Sequence, residues 1–303
     1  MLRLKNIKKS YNEKVVLRGV NLELESGQVY GLIGANGAGK TTLLNIIAGV
    51  ASKNDGTVEI DNHVINNLND IKGRIGYVLD IPAMFEYLTA SEYLHFLMSA
   101  LNFTEDEKNL KTEQLLLAVG LEDAKNQKIR NFSRGMKQRM GIAAGLIANP
   151  TIVLLDEPSS ALDPQGRAEV MEIINELKNQ GKTILLSTHI LSDVERICDK
   201  IGLLIDGRIE IEGNLNEVME RYSKPILCVE SAEVEKLKTF VKNLDGCRAV
   251  YDIAGGIEIE IDADKKQQIF KDIVNSEIEI SGIYTKKASV EEIFLNVRKG
   301  GQM

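Results

Sequence analysis

Residues 34–42, Gly34-Ala35-Asn36-Gly37-Ala38-Gly39-Lys40-Thr41-Thr42, constrain this chain more than any other stretch. They follow the apolar segment Val29–Ile33 and precede the helical run Leu43-Leu44-Asn45-Ile46-Ile47. The spacing is GxxxxGK[ST], set between a strand and a helix. Glycines let the backbone curl until successive N–H groups point inward and form an anion nest. The helix that follows adds its positive N-terminal end. Gly34, Asn36, Gly37, Ala38 and Gly39 shape the turn. Lys40 carries a mobile charge for the outer phosphates, and the Thr41 hydroxyl, next to Thr42, can ligate Mg²⁺. In a parallel α/β sheet such a turn lies at the carboxyl end of a strand.

A second apolar run ends in charge. Ile152-Val153-Leu154-Leu155 is followed directly by Asp156 and Glu157. A buried strand of the same sheet would bring Asp156 beside the glycine-rich turn, where it can hold Mg²⁺ through water. Glu157 would then be placed to polarise an attacking water. A strand ending in Asp-Glu is common by itself; paired with a phosphate-binding turn it acquires a chemical role.

Strand patterns recur at residues 76–79, 183–187 and 201–205, with a helical pattern at 167–179. That alternation predicts a parallel α/β sheet. From about residue 81 to 130 the texture turns helical, and the helical insertion is taken to run to about 150. Thr89-Ala90-Ser91-Glu92 and Thr104-Glu105-Asp106-Glu107 fit the capping box that opens a helix. The texture changes again after residue 221, so residues 1–221 and 222–303 are expected to form separate domains. In the second, strand patterns at 225–230, 247–252, 257–262 and 278–284 alternate with helical ones at 234–244 and 265–274. Ser289-Val290-Glu291-Glu292 then caps a last helix. The order βαββαβ is that of a ferredoxin-like split unit. This small α+β domain lacks any phosphate turn or ligand cluster, which points to an accessory or regulatory role.

Composition narrows the setting. Apolar residues make up 44% and charged residues 27%, as in an ordinary globular protein. The polar stretch after Met1-Leu2-Arg3-Leu4-Lys5 leaves no apolar core for a secretory signal. Runs such as 152–155 fall far short of the ~20 residues a spanning helix needs. Three scattered cysteines, Cys198, Cys228 and Cys247, fit neither a disulfide framework nor a zinc site. A net charge of −7 weighs against a nucleic-acid groove.

The decisive third stretch is Phe132-Ser133-Arg134-Gly135-Met136-Lys137-Gln138-Arg139, shortly before Asp156. It resembles the LSGGQ signature of the ABC (ATP-binding cassette) ATPases. By that resemblance Ser133 and the Gly135 backbone donate to the γ-phosphate of an ATP bound by a second subunit. Ser160-Ala161-Leu162-Asp163 looks like the family's D-loop, His189 matches its switch histidine at the γ-phosphate, and Tyr11 matches the aromatic that stacks on adenine. The resemblance implies an ATPase using ATP and Mg²⁺. It implies pairing with a second copy or a homologous cassette, and peripheral attachment to the inner face of the membrane through a multi-span permease. No nucleic-acid partner is expected.

Two departures stand out. Ile75-Gly76-Tyr77-Val78-Leu79-Asp80 ends in an aspartate where the family usually has glutamine. Asp80 can still accept from water or contact Mg²⁺, but it lacks the amide donor. In the signature, Arg134 and Met136 replace the usual glycine and glutamine. That variant, and the ending Ala288-Ser289-Val290-Glu291-Glu292-Ile293-Phe294-Leu295, resemble the bacterial branch that exports drugs, antibiotics, lipids or polysaccharides. Phe85, Tyr87, Tyr93 and Phe96 in the insertion fall where the family docks its permease; most of them are expected to fill the insertion's own core. The alternative is a soluble ABC ATPase acting on a non-transport partner. Such relatives typically carry two cassettes or a long coiled-coil insertion, and neither pattern is present. A cassette that binds ATP without turnover would be expected to lack one of Lys40, Asp156, Glu157 and His189, and all four are here.

Overall fold

The structure, a computed structural model, describes residues 1–223, 225–286 and 288–298. The chain divides into two compact units, Met1–Leu215 and Asn216–Met303.

Among the described residues, the first unit holds two sheets. The N-terminal one is antiparallel, with order β2-β1-β4-β5: β1 (Leu2–Tyr11), β2 (Lys14–Leu24), β4 (Asp55–Ile60) and β5 (His63–Val64). The six-stranded one has order β10-β9-β3-β8-β7-β6. Its strands are β3 (Val29–Ile33), β6 (Ile75–Val78), β7 (Ile152–Asp156), β8 (Thr183–Thr188), β9 (Lys200–Ile205) and β10 (Arg208–Asn214). All but the antiparallel edge strand β10 run parallel. Every residue of β3, β7 and β8 is buried, which is why these strands read as unbroken apolar runs rather than alternating ones.

Helix α1 (Lys40–Ile47) and the antiparallel sheet pack on one face of the parallel sheet. Leu4, Leu22, Leu32, Leu44, Leu154 and Leu185 share that core. Each is 0–2% exposed, so their burial supplies a large apolar contribution to stability, about 1.5–3 kcal/mol per side chain.

The insertion carries α2 (Ala90–Ser99), α3 (Glu105–Ala118) and α4 (Arg134–Gly145). Both expected capping boxes are present: Thr89 with Glu92, and Thr104 with Glu107. The far half of α4 lies directly on β6. A Cβ at Gly76 would fall 2.3 Å from the Gly145 carbonyl oxygen, and one at Gly141 would fall 2.6 Å from the Pro82 ring. Only glycine permits that approach. The aromatics depart from expectation. Tyr93 alone among the four is buried, while Phe85, Tyr87 and Phe96 are 43%, 67% and 53% exposed. They form a surface cluster, with Phe96 edge-on to Phe85 at 5.1 Å and Tyr87 tilted against it at 5.9 Å. The insertion is too thin to bury them, because α2 spends its inward face on Tyr93, Leu94 and Met98.

After β7 come α5 (Pro164–Asn179), α6 (Leu191–Ile197) and α7 (Leu215–Arg221). Pro164 opens α5 at a position where its missing N–H costs nothing, and Asp163 caps it by accepting from Gly166 N at 2.9 Å.

The second unit follows the order β11 (Ile226–Glu230), α8 (Val234–Lys242), β12 (Cys247–Ile253), β13 (Gly256–Ile261), α9 (Lys266–Val274), β14 (Gly282–Thr285) and α10 (Val290–Arg298). Its antiparallel sheet order, β12-β13-β11-β14, is that of the ferredoxin-like split unit. Ile257, Ile259 and Ile261 face a core with Leu237, Val241 and Ile269, and the alternation expected of that strand holds. One strand is shorter than its pattern implied. Residues 278–281 do not join β14: the ladder stops where Gly282 pairs with Glu230, the last residue of β11, and beyond it the Ser231 hydroxyl donates to Glu279 O instead.

Candidate active site

The turn before α1 is built as the glycines require. Gly37 and Gly39 hold φ of 83° and 110°, in the left-handed region. A Cβ at Gly34 would fall 2.7 Å from the Leu204 carbonyl oxygen. No side chain caps α1, so its first N–H groups remain for an anion. Ala38 N closes the turn onto Ala35 O at 3.1 Å.

Lys40 is 5% exposed, and its ammonium folds back over this turn. It donates to Gly34 O at 2.7 Å and lies 3.0 Å from Glu157 Oε1. The other Glu157 oxygen, Oε2, meets His189 Nδ1 at 2.8 Å. Glu157 takes φ of 48°, a strained conformation for a side-chain-bearing residue, and its N–H is shared by Ser187 O and Oγ at 3.1 Å. β7 thus ends abruptly and turns Glu157 out of the sheet plane toward the lysine.

Asp156 sits behind, 3% exposed, taking a hydrogen bond from the Ser187 hydroxyl at 2.6 Å. Burial pushes its carboxyl above the ordinary range. Hydrogen bonds from Ser187 and Thr41 oppose that shift, and the nearby charges of Glu157 and Asp80 add to it. A buried carboxylate beside a hydroxyl is a hard-oxygen donor set, which fits Mg²⁺.

These groups border one cleft of about 560 Å³, lined by Tyr11, Lys14, Val16, Asn36, Lys40, Thr41, Thr42, Asp80 and Glu157, among others. Tyr11 is 48% exposed at its outer end, with Lys9 Nζ 4.7 Å from the ring centroid. Asp80 accepts from the Ser160 hydroxyl at 2.7 Å. His189 is reached through Glu157 rather than lining the cleft itself.

Ser133 and Gly135 lie elsewhere. They line a second recess, about 460 Å³, with Met136, Ala161, Leu162 and Asp163. Ser133 caps α4, its Oγ accepting from Met136 N at 3.1 Å, which leaves the hydroxyl proton free to donate. Lys14, Val16 and Ser187 were not foreseen, nor was the contact of Ser160, the first residue of the D-loop stretch, with Asp80. Ser187 carried a signal, as a hydroxyl at a strand end two residues before His189.

Residues 17–160 match the ABC transporter family, and residues 213–297 match the C-terminal domain of DrrA1-3-like ATP-binding proteins. A lantibiotic transport ATP-binding protein of Streptococcus pyogenes is 39% identical over 212 residues, covering 70% of this chain and 90% of that protein. A bacitracin transport ATP-binding protein of Enterococcus faecalis is 30% identical over 306 residues, covering 99% and 97%. A dimeric structure of an ATP-binding cassette, in a post-hydrolysis state with ADP and Pi, superposes with a TM-score of 0.65 at 32% identity. That match covers 71% of this chain and 99% of the other. Among the described residues no helix is long and apolar enough to cross a membrane. The chain belongs to the ATP-binding subunits of ABC transporters, the ATPases that power them.

Proposed function

We propose that two such chains close head to tail, each ATP held between the phosphate turn of one and the Ser133–Gly135 signature of the other, to drive a separate export permease. The observation that carries this reading is that the two halves of an ATP site line different recesses of one chain. A single chain therefore offers each nucleotide half of its contacts. In the assembled site Gly34, Asn36, Gly37, Ala38 and Gly39 present backbone to the phosphates, with Thr42 beside them, and Lys40 holds the outer ones. Thr41, Asp156 and Asp80 hold Mg²⁺, which when bound neutralises phosphate charge. Tyr11 stacks on the base. Glu157 takes the proton of the attacking water, and His189 orients that carboxylate and reaches the γ-phosphate. The names of the lantibiotic and bacitracin relatives support export. The exposed Phe85, Tyr87 and Phe96 cluster is the docking patch for the permease.

Mixing two defective chains tests the pairing. Lys40→Ala and Ser133→Ala should each be nearly inactive alone. A mixed dimer regains one site with an intact turn facing an intact signature, so ATPase activity should return on mixing. Activity that stays at the level of the separate variants would sink the head-to-tail arrangement.

Asp80 supports a narrower expectation. Its hydrogen bond with Ser160 is a single contact, beside the many that hold the phosphates. Asp80→Gln can keep an acceptor there and should preserve ATPase activity. Asp80→Ala should weaken the coupling of hydrolysis to transport more than ATP binding. If vesicle transport proceeds normally in both variants, Asp80 has no coupling role.

A further inference from the structure

We propose that Asp193 is a positioning residue that holds His189 against Glu157. The inference rests on the roles proposed above for those two residues and adds a group outside the nucleotide cleft. Asp193 lies in the first turn of α6, four residues after His189, and is 4% exposed. A buried carboxylate needs several partners to offset its lost hydration. It has them. The hydroxyl of Ser159, itself 2% exposed, donates to Oδ2 at 2.5 Å. Arg167 Nε donates to Oδ1 at 2.6 Å, and the Arg167 fork also reaches Ser192 Oγ at 2.6 Å. Ser159 belongs to the loop leaving Glu157, Arg167 to the first turns of α5, and Ser192 to α6. One carboxylate on α6 is therefore the common acceptor of two other segments, the loop after Glu157 and α5.

Two segments, 157–159 and 189–193, are thus joined twice. One link is His189 to Glu157, half exposed on the histidine side, which is 47% accessible. The other is Asp193 to Ser159, wholly buried. The exposed link must open and close against ligand, so its register needs a support that stays shut. The buried link provides it, and Arg167 holds the carboxylate in place through two nitrogens, both at Oδ1. The strained φ of 48° at Glu157 makes that support more pressing, because strained backbone persists only where its surroundings fix it.

The test uses the full chain with MgATP and three variants: Asp193→Asn, Ser159→Ala and His189→Ala. Misplacing the histidine by even about 1 Å should lower kcat tenfold or more in Asp193→Asn, with the ATP Kd unchanged. Ser159→Ala, which removes one bond and spares the ion pair, should do the same more weakly and keeps the test open if Asp193→Asn folds poorly. In the His189→Ala background Asp193→Asn should add no further loss, since its effect passes through the missing ring. The chain has only three histidines, so the His189 ring nitrogens can be followed by NMR without reference to activity. Their hydrogen-bonded signature should be lost in Asp193→Asn. An unchanged signature, or losses that multiply with His189→Ala, would overturn the positioning role. Full turnover by His189→Ala alone would instead refute the underlying assignment of His189, whatever the spectrum shows.

Discussion

Glu157→Gln should lower ATP turnover by about two to three orders of magnitude, the usual contribution of a positioned proton acceptor, while nucleotide binding persists. The substitution keeps the shape and the left-handed backbone of the residue, so any strain at φ 48° is common to both proteins and cancels. An amide can still accept from His189, and the nest before α1 is untouched. What goes is the basic carboxylate and its ion pair with Lys40 at 3.0 Å. Lys40 must exchange that partner for phosphate oxygens when ATP binds. Removing the charge therefore should not weaken ATP binding, and the stalled variant should accumulate as an ATP-bound dimer in gel filtration. Near-normal turnover would remove Glu157 from the role of base.

Lys40→Ala should act on the other half of the cycle. Charge-assisted hydrogen bonds contribute about 1.5–3 kcal/mol each, so deleting the ammonium should weaken ATP binding by about tenfold to a hundredfold. The loss is greater than a surface lysine would cause because the Nζ sits 5% exposed over the turn, poorly screened by water. It also strands the Glu157 carboxylate, 12% exposed, with His189 as its remaining side-chain partner. Titration of the full chain with a fluorescent ATP analogue measures the effect. Wild-type affinity would mean that the backbone nest alone holds the phosphates.

These two residues were legible in the sequence because their chemistry is encoded in local spacing. Gly34 to Thr42 states its own backbone conformation, and the apolar run before Asp156 and Glu157 states its own burial. The N-terminal sheet was not legible. β1 shifts register between Leu4 and Ile7, again at Lys8 and again after Lys9, and Asn6 takes φ of 53°. Those irregularities scramble the two-residue alternation that would otherwise mark a strand. The pairing of Asp193 with Ser159 was hidden for another reason. It joins residues 34 apart in sequence, and no short pattern marks either as buried. The outward turn of Phe85, Tyr87 and Phe96 was misjudged because an aromatic side chain reads as core whether or not a second layer exists to cover it.

The glycines that let α4 lie against β6 have a mechanical consequence. With Gly145 on Gly76 and Gly141 on Pro82, one end of the helix is fastened to the strand that runs into Asp80. The other end carries Ser133. From Gly141, where that packing begins, to Ser133 the helix rises about 12 Å, a lever with its fulcrum at the Pro82 segment and its tip at the signature. A tilt of about 10° at the fulcrum would sweep the tip through about 2 Å, more than enough to break a hydrogen bond. The pivot is close-packed, on backbone, the Pro82 ring and the Val78 side chain. Whatever pushes on the Pro82 segment is therefore delivered, nearly without backlash, to the group that must touch the partner's nucleotide.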